Sequence, residues 1–319
     1  MNNNGQSAAA TQVRVACTDL DAALDFYTGE AGFRLDMILP ADAPRIAQLS
    51  GYGIALRLER QLAQEPGISS QPAADAWVVG RAGMQYRDLL PGRQGGRLVA
   101  SHIRIPEGGP VPDYVHYHRV EFQMIYCRRG WVRVVYEDQG PPFVMNEGDC
   151  VLQPPGIRHR VLEASPGLEV IEVSSPAEHE TWREHALELP TSEVHAERRF
   201  DGQRFVRHIA GEATWESVDM SGVMIRDTGI AEATNGLGTA RVLYVGGSGI
   251  SFPASRRDDI RFLFVLAGQA RLRGASGSVQ VLAPDDACLV PASEAHVLEA
   301  EAPCEVLEVC LPTRRQAAT

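Results

Sequence analysis

Two stretches decide the fold of this chain: residues 116–130, HYHRVEFQMIYCRRG, and residues 148–163, GDCVLQPPGIRHRVLE. Side chains two positions apart on a β-strand point to the same face, so the first stretch places His116 and His118 side by side. In the second stretch, a tight Pro-Pro-Gly turn delivers His159 onto another strand. Three imidazoles that converge inside a small β-barrel make a binding site for a first-row transition metal.

Other polar residues near these histidines are candidates for catalysis or for the pocket wall. Gln123 is either a weak fourth ligand, through its amide oxygen, or a hydrogen-bond partner of a metal-bound water. Glu163 has the same strand parity as His159, so it either points inward or lies as a carboxylate at the barrel rim. We therefore take Gln123 and Glu163 as catalytic candidates. Weaker candidates for the substrate pocket are His102, Arg104 and Tyr126.

The spacing of these residues resembles the two sequence motifs of the cupin superfamily. The second motif matches up to His159, with Glu163 at the place of the motif's final Asn. The first motif matches from His116 to the following turn glycine, except that Gln123 replaces its Glu and Gly109 lies one residue too far upstream. Both motifs occur in the family's order and interval, so the resemblance implies a jelly-roll β-barrel that binds a metal through its three histidines.

The chain then repeats itself loosely. PFVMNEGDCVLQPPGIRHRVLEA, from Pro142, is echoed by VQVLAPDDACLVPASEAHVLEA, from Val279. A repeat indicates two copies of one fold, so the resemblance extends over residues 76–319 as a bicupin. Of the three histidine positions only that of His159 keeps an imidazole, as His296, and arginines beside it would repel a divalent cation. The second-copy positions that correspond to His116, His118 and Gln123 are Ala254, Arg256 and Arg261.

The first sixty or so residues follow a different pattern. QVRVAC predicts a strand, DLDAALDFYTGEAG a helix, and FRLDMILP and GIALRLER further strands. This βαβββ order resembles one half of a vicinal-oxygen-chelate (glyoxalase-like) domain. Only Glu59 lies near a ligand position of that family. We therefore expect a docking or dimerising module there instead of a second metal site.

The predicted architecture is mainly β: two cupin jelly-roll barrels preceded by a small βαβββ module. The second barrel is predicted to be structural because its metal motifs have degenerated. The predicted boundaries are 1–60 for the partial vicinal-oxygen-chelate-like module, 61–75 for a linker, 76–190 for the metal-binding cupin and 191–319 for the degenerate cupin.

The composition of the chain limits the classes of partner that it can bind. The chain has 319 residues, 44% of them hydrophobic, and a formal net charge of -11. An acidic surface repels phosphate backbones and anionic lipid, so we expect neither nucleic acid nor a membrane as partner. No run approaches the roughly 20 apolar residues of a membrane-spanning helix, and the N-terminus lacks the pattern of a signal peptide. We expect a cytoplasmic protein with a small-molecule substrate.

Residues outside the motifs are given ordinary structural roles. The six cysteines have no close spacing typical of a metal knuckle or redox motif, so we expect reduced and mostly buried thiols. Four more histidines lie in the connector or in the second copy, and we expect them to be solvated. They are His179, His185, His195 and His208.

The resemblance implies a metal enzyme but does not fix its reaction, because three-histidine cupin sites serve dioxygenases, lyases, isomerases and cyclases. With Gln123 in place of a carboxylate, the cation has no anionic protein ligand, which favours chelating enolates and phenolates. We predict a mononuclear dioxygenase that uses Fe(II), with Zn, Mn or Ni as other possible metals. Its predicted substrate is a small aromatic or an enolisable ketone.

Two alternatives stay open at this point. One is a non-redox Zn- or Mn-dependent cyclase, isomerase or lyase that acts on a similar substrate. The other is a protein that binds a metal or a small molecule without turnover.

The N-terminal module also bears on assembly. An uncovered strand edge invites pairing, and the module's edge can pack against its own chain or against another subunit. We expect a homodimer.

Overall fold

The computed structural model describes residues 12–61, 77–80, 83–90, 92–218, 222–254, 259–275, 277–291, 293 and 295–312. Over these ranges strands far outnumber helices, which confirms the predicted fold class. The predicted linker lies outside the described residues except for its first residue.

The N-terminal module packs one helix on a four-stranded sheet. The Asp19 carboxylate caps this helix by accepting a hydrogen bond from the Ala22 N–H (3.0 Å), and Leu20 and Leu24 are buried against the sheet. The elements follow the predicted βαβββ order, with strands arranged 1-4-3-2 and the first parallel to the fourth. They are β1 (Gln12–Cys17), α1 (Leu20–Asp25) with a π-helical turn (Phe26–Glu30), β2 (Arg34–Leu39), β3 (Ile46–Gly51) and β4 (Ile54–Arg60).

The first barrel consists of two facing sheets. One contains β8 (Gly109–Pro110), β9 (His116–His118), β11 (Trp131–Tyr136), β12 (Phe143–Asn146), β14 (His159–Ala164) and β16 (Thr181–Arg183). The other contains β5 (Val78–Val79), β6 (Gln85–Asp88), β7 (Val99–Ile105), β10 (Phe122–Arg129), β13 (Cys150–Leu152), β15 (Leu168–Ser175) and β19 (Val206–His208). Strand β19 lies beyond the boundary predicted at residue 190 and pairs with β13.

Two small elements flank this barrel. A 3₁₀ turn spans Arg93–Gly96, before β7. A short hairpin of β17 (Arg199–Phe200) and β18 (Gln203–Arg204) precedes β19.

Strand β16 joins the module to the first barrel. It pairs with β2 on one side and with β9 on the other, so the module's sheet continues into the barrel's sheet. In this register Thr181 lies opposite both Ile38 and His118. The β2 edge of the module is therefore covered by its own chain, and β1 forms the outer edge of the sheet.

The second barrel repeats the strand pairing of the first. Two long strands, β22 (Thr239–Phe252) and β27 (His296–Pro312), form its centre, with a core of residues such as Leu243, Val265 and Leu298. Its elements are β20 (Glu216–Ser217), β21 (Val223–Asp227), α2 (Ile230–Ala233), β22 (Thr239–Phe252), β23 (Asp259–Ala267), β24 (Ala270–Gly274), β25 (Val279–Leu282), β26 (Ala287–Pro291) and β27 (His296–Pro312).

The two barrels pack back to back. Alternation along β7 and β10 turns Ala100, Met124 and Tyr126 away from the interior of the first barrel and against Phe262 and Phe264 of the second. Because these residues form the apolar layer between the barrels, their side chains do not reach the interior of the first barrel.

No helix among the described residues has both the length and the apolar character needed to cross a membrane. All six cysteines are free. Four are buried and two, Cys17 and Cys310, are half-buried, as expected from the sequence.

Candidate metal centre

Three histidines meet inside the first barrel. Strand β9 carries His116 and His118, and β14 begins at His159, which lies opposite His116 in the register. One ring nitrogen of each histidine lies within 4.8 Å of those of the other two. The structure thus brings together the three residues that the sequence motifs predict as ligands.

Backbone carbonyls orient two of the rings. His116 Nδ1 lies 2.8 Å from the Tyr114 carbonyl, and His159 Nδ1 lies 3.1 Å from the Ile157 carbonyl. Because a carbonyl can only accept, both Nδ1 atoms donate, which leaves Nε2 as the atom of each ring that could bind a cation. Outer partners of this kind are typical of metal-binding histidines.

A hydroxyl from β16 orients the third ring, because His118 Nδ1 lies 2.9 Å from Thr181 Oγ1. Burial lowers the pKa of both His118 and His159 well below the usual histidine range, and the neighbouring His116 lowers both further. These rings are therefore neutral at pH 7, the form in which imidazole binds a cation.

Gln123 lies in the cavity wall beside the histidines. Its Nε2 donates to Glu172 Oε1 at 3.0 Å, and Ser174 Oγ donates to the same oxygen at 3.0 Å. Gln123 Oε1 is buried and has no hydrogen-bond partner among the described residues. The carboxylate therefore fixes the amide so that its oxygen remains available to another group.

Glu172 was not among the residues predicted from the sequence. Along β15, Leu168, Val170 and Glu172 line the cavity, so this carboxylate interrupts an apolar face of alternating residues. A charged residue on an otherwise apolar strand face is the feature of the sequence that could have predicted this position.

A second glutamine, also missed, lies against the cluster. Gln153 Nε2 lies 2.8 Å from His159 Nε2 and donates to its lone pair, while Gln153 Oε1 has no partner among the described residues. The amide N–H group lies where a cation would approach His159, so metal binding would displace this hydrogen bond. Nothing in the sequence other than the type of this residue marks it.

The donor set fits a first-row divalent transition metal. It offers imidazole nitrogens from His116, His118 and His159 and an amide oxygen of Gln123 that has no hydrogen-bond partner among the described residues. Imidazole suits Zn, Fe, Ni and Cu, whereas Ca²⁺ and Mg²⁺ prefer all-oxygen sites.

A cavity of about 390 Å³ lies in front of the histidines. Its walls are mostly apolar, and no Arg or Lys occurs among the described residues that line it. Besides the histidine cluster, Gln123, Gln153 and Glu172, its polar lining residues are Asp42, Ser101, Asp113, His179 and Thr181, with Tyr86, Tyr114 and Tyr136. Apolar lining residues include Met84, Ile103, Ile125, Val134, Val161 and Val170.

The expectation that Glu163 points inward is wrong. Its carboxylate lies 3.5 Å from the Arg133 guanidinium, its side chain is 40% exposed, and it does not line the cavity. The cause is a β-bulge: the register with β11 shifts between Arg133 and Val134, which pair with Glu163 and Val161. One extra residue reverses the strand parity, so Val161 faces the cavity and Glu163 faces outward.

The three weaker pocket candidates also lie outside the cavity. On β7 the residues that line it are Ser101 and its odd-numbered neighbours, so His102 and Arg104 point the other way. His102 is buried between Glu169 (2.9 Å) and the guanidinium of Arg87 (3.0 Å). Arg104 covers the ring of Trp77, and Tyr126 belongs to the layer between the barrels.

Two of the four histidines expected to be solvated are buried. His179 lines the cavity, its Nδ1 donates to the Pro176 carbonyl at 3.0 Å, and its ring lies 5.4 Å from that of His118. His208 is buried on β19, because the strand that carries it joins the first barrel. His185 and His195 are exposed, as expected.

The second barrel places an arginine where the first has Gln123. Arg261 Nη1 lies 3.2 Å from His296 Nε2, and Arg261 Nε lies 2.7 Å from Glu308 Oε1. Glu308 is fully buried and also pairs with Arg241. Of the other corresponding positions, Ala254 is described and Arg256 lies outside the described residues. No group of metal-binding type occurs here among the described residues.

Comparison with known families agrees with this geometry. Residues 101–173, which carry β7 to β15 and the three histidines, match the family model described as a cupin domain. The matched residues lie within the first barrel. A comparison with curated proteins found no match for the chain.

Solved structures share the two-barrel fold at low sequence identity. A deletion mutant of oxalate decarboxylase from Bacillus subtilis is 15% identical, with 75% of this chain and 77% of that chain covered and a TM-score of 0.52. A formate complex of oxalate decarboxylase from Lactobacillus farciminis is 15% identical over 74% and 83% of the chains, with a TM-score of 0.53. Protein Ylba from E. coli is 12% identical over 76% and 89%, with a TM-score of 0.52. At such identities the likeness shows the fold alone.

Proposed function

We propose that this chain is a metal-dependent cupin oxygenase that acts on a small aromatic or enolisable ketone. One observation carries the proposal: three imidazoles, two of them buried, place their ring nitrogens within 4.8 Å of one another at a mostly apolar cavity of about 390 Å³. A cavity of this size suits an aromatic molecule.

In this proposal His116, His118 and His159 hold the cation, and Fe(II) is the preferred metal. Gln123 offers its unpartnered Oε1 as a weak fourth ligand. When bound, the metal supplies a Lewis acid for the substrate oxygens and, if it is iron, the redox centre that O₂ chemistry needs.

The residues around the cluster have definable tasks. Glu172 orients Gln123, while Thr181 and the two carbonyl partners hold the imidazole rings. Apolar walls exclude water from a substrate that has lost a proton, which strengthens its attraction to a cation. The protein contributes no anionic ligand, so an enolate or phenolate oxygen would complete the site.

The cavity argues for a substrate larger than a small dicarboxylate. Two of the structural neighbours are oxalate decarboxylases. The cavity described here is mostly apolar, and none of its described lining residues is an Arg or Lys that could bind a second carboxylate. We therefore propose a substrate with one chelating group and an uncharged body.

A second candidate function is favoured by Glu172. A carboxylate that lines the cavity, next to Gln123, can accept a proton from an enolisable substrate, as a cyclase, isomerase or lyase requires. Such an enzyme would act with Zn or Mn and would consume no oxygen.

Oxygen consumption separates the two candidates. We would load the protein with Fe(II) under anaerobic conditions and measure O₂ uptake with a panel of phenolic ketones. Uptake that depends on substrate and is lost in His116→Ala supports the oxygenase. Turnover of the same panel without uptake, with Zn or Mn bound, supports the second candidate, and absence of turnover with every metal contradicts both.

A further inference from the structure

The cavity of the first barrel is not built by the cupin alone. Three residues of the N-terminal module line it: Ile38 on β2, and Ala41 and Asp42 in the loop that follows. The pairing of β2 with β16 brings them there, because Ile38 lies opposite Thr181, and Thr181 lies opposite His118. One strand thus separates the module from a predicted metal ligand.

The loop between β2 and β3 is fixed in place over the cavity. Arg93 pairs with Asp42 of this loop and with Asp88 of the barrel, the latter at 3.0 Å. At the far end of the loop, Arg45 pairs with Glu178 of the barrel at 2.6 Å. Two ion pairs between the loop and the barrel therefore hold this part of the wall.

The chemistry of this wall limits what it can recognise. Ile38 and Ala41 offer apolar surface, and the small side chain of Ala41 leaves space in front of it. Among the described residues of the module, the only charged group that lines the cavity is the Asp42 carboxylate, which is paired with Arg93. Because this pair is already satisfied, the wall adds no counter-charge for an anionic or a cationic substrate group, and burying such a group without a partner is unfavourable.

We propose that the N-terminal module is the specificity wall of the cupin site. In this role Ile38 and Ala41 contact the uncharged apolar end of a substrate whose oxygens bind at the histidines, so the inference rests on the proposed function. The module would select substrates by the size and charge of the part farthest from the metal.

Two substitutions in the same loop test this inference. Ala41 lines the cavity, whereas Ala43, two residues later, is exposed and does not. We would load wild type, Ala41→Trp and Ala43→Trp with Co(II), confirm its binding from the visible spectrum, and titrate catechol and 4-tert-butylcatechol by anaerobic calorimetry. We expect Ala41→Trp to weaken 4-tert-butylcatechol binding about tenfold or more, because filling a packed cavity is unfavourable, with a much smaller effect on catechol. Ala43→Trp should match the wild type.

An enlarging substitution gives the reciprocal test. Ile38→Ala should bind 3,5-di-tert-butylcatechol several-fold more tightly than the wild type does, because it opens the same wall. A charged probe, 3,4-dihydroxybenzoate, should bind the wild type more weakly than 4-tert-butylcatechol does.

The outcomes distinguish this inference from the proposed function. The proposal that the module forms this wall is overturned if Ala41→Trp and Ala43→Trp change the binding of 4-tert-butylcatechol equally. It is also overturned if Ala41→Trp leaves that binding unchanged. If wild type binds Co(II) but no catechol, the proposed function fails instead. The proposed wall is then tested with metal-free protein and 4-tert-butylphenol by ligand-detected NMR. Loss of phenol binding in Ala41→Trp but not in Ala43→Trp supports the proposal. Equal phenol binding by the two variants overturns it.

Discussion

The two barrels use the same strand pairing around very different centres. Gln123 on β10 faces Ser174 on β15, and Arg261 on β23 faces Cys310 on β27 at the corresponding position. In the first barrel the neutral amide of Gln123 leaves an oxygen free beside three imidazoles. In the second barrel Arg261 brings its own cation to the one remaining imidazole.

The same difference extends to the neighbouring carboxylates. Among the described residues, Glu172 accepts hydrogen bonds from the neutral groups of Gln123 and Ser174, whereas the corresponding Glu308 pairs with two arginines and is fully buried. The first centre therefore has the donor groups of a cation site, whereas the guanidinium of Arg261 occupies the corresponding place in the second.

The largest expected effect separates the two centres directly. His118→Ala should abolish tight metal binding and activity, because two imidazoles leave too few protein ligands to fix a catalytic geometry. His296→Ala should leave metal content unchanged, because its neighbour is Arg261. Metal analysis of both purified variants checks this, and a metal lost in His296→Ala would show that the second barrel also binds one.

Removing a buried carboxylate should affect the two barrels unequally. Glu308→Gln removes the buried carboxylate that pairs with both Arg241 and Arg261 and should lower the free energy of unfolding by about 3–5 kcal/mol. Glu172→Gln loses hydrogen bonds to neutral groups only and should cost about 1 kcal/mol. Urea denaturation measures both values. Equal losses would contradict the difference in charge between the centres.

Acid should destabilise the first barrel of the metal-free protein. The pKa of His118 and of His159 is lowered in the folded state, whereas an unfolded histidine titrates near 6.5. Stability from these neutral rings is fully present above about pH 6.5 and falls below it by up to about 1.4 kcal/mol per pH unit per histidine. Denaturation at pH 7.5 and pH 5.5 should show a smaller loss for His159→Gln than for wild type. An identical pH dependence of the two proteins would refute this account.

The smallest expected effect concerns Glu163. Its ion pair with Arg133 is exposed, so Glu163→Gln should change stability by less than about 1 kcal/mol and leave metal content and activity unchanged. A loss of turnover in this variant would mean that the bulge in β14 does not hold Glu163 outside the cavity in solution.

The sequence predicted those parts of the site that local spacing encodes. The alternation of His116 and His118 and the turn before His159 are local features, and the structure brings the three rings together. Glu163 was misplaced because a one-residue bulge reverses parity, and a bulge depends on the pairing strand. His102 was misplaced because either face of β7 can be buried when a second barrel packs on its back.

Residues that come from distant parts of the chain could not be predicted in this way. Thr181 reaches His118 through the pairing of β16 with β9, and Ala41 reaches the cavity through the pairing of β2 with β16. Neither pairing has a signal in local spacing, because each depends on which edges meet in three dimensions.

The homodimer remains a prediction, and the structure limits which edge of the N-terminal module could form it. Because β16 covers β2 within one chain, β1 is the module edge that remains for a second subunit. Light scattering of the full chain at micromolar concentration decides it, and a monomer would contradict the prediction.

Anomalous diffraction at the absorption edge of the bound metal tests the central claim most directly. Crystals of metal-loaded protein should show one strong peak per chain, about 2.0–2.3 Å from the Nε2 atoms of His116, His118 and His159. The region around Arg261 and His296 should show none. A peak in the second barrel, or no peak at the three histidines, would contradict the account.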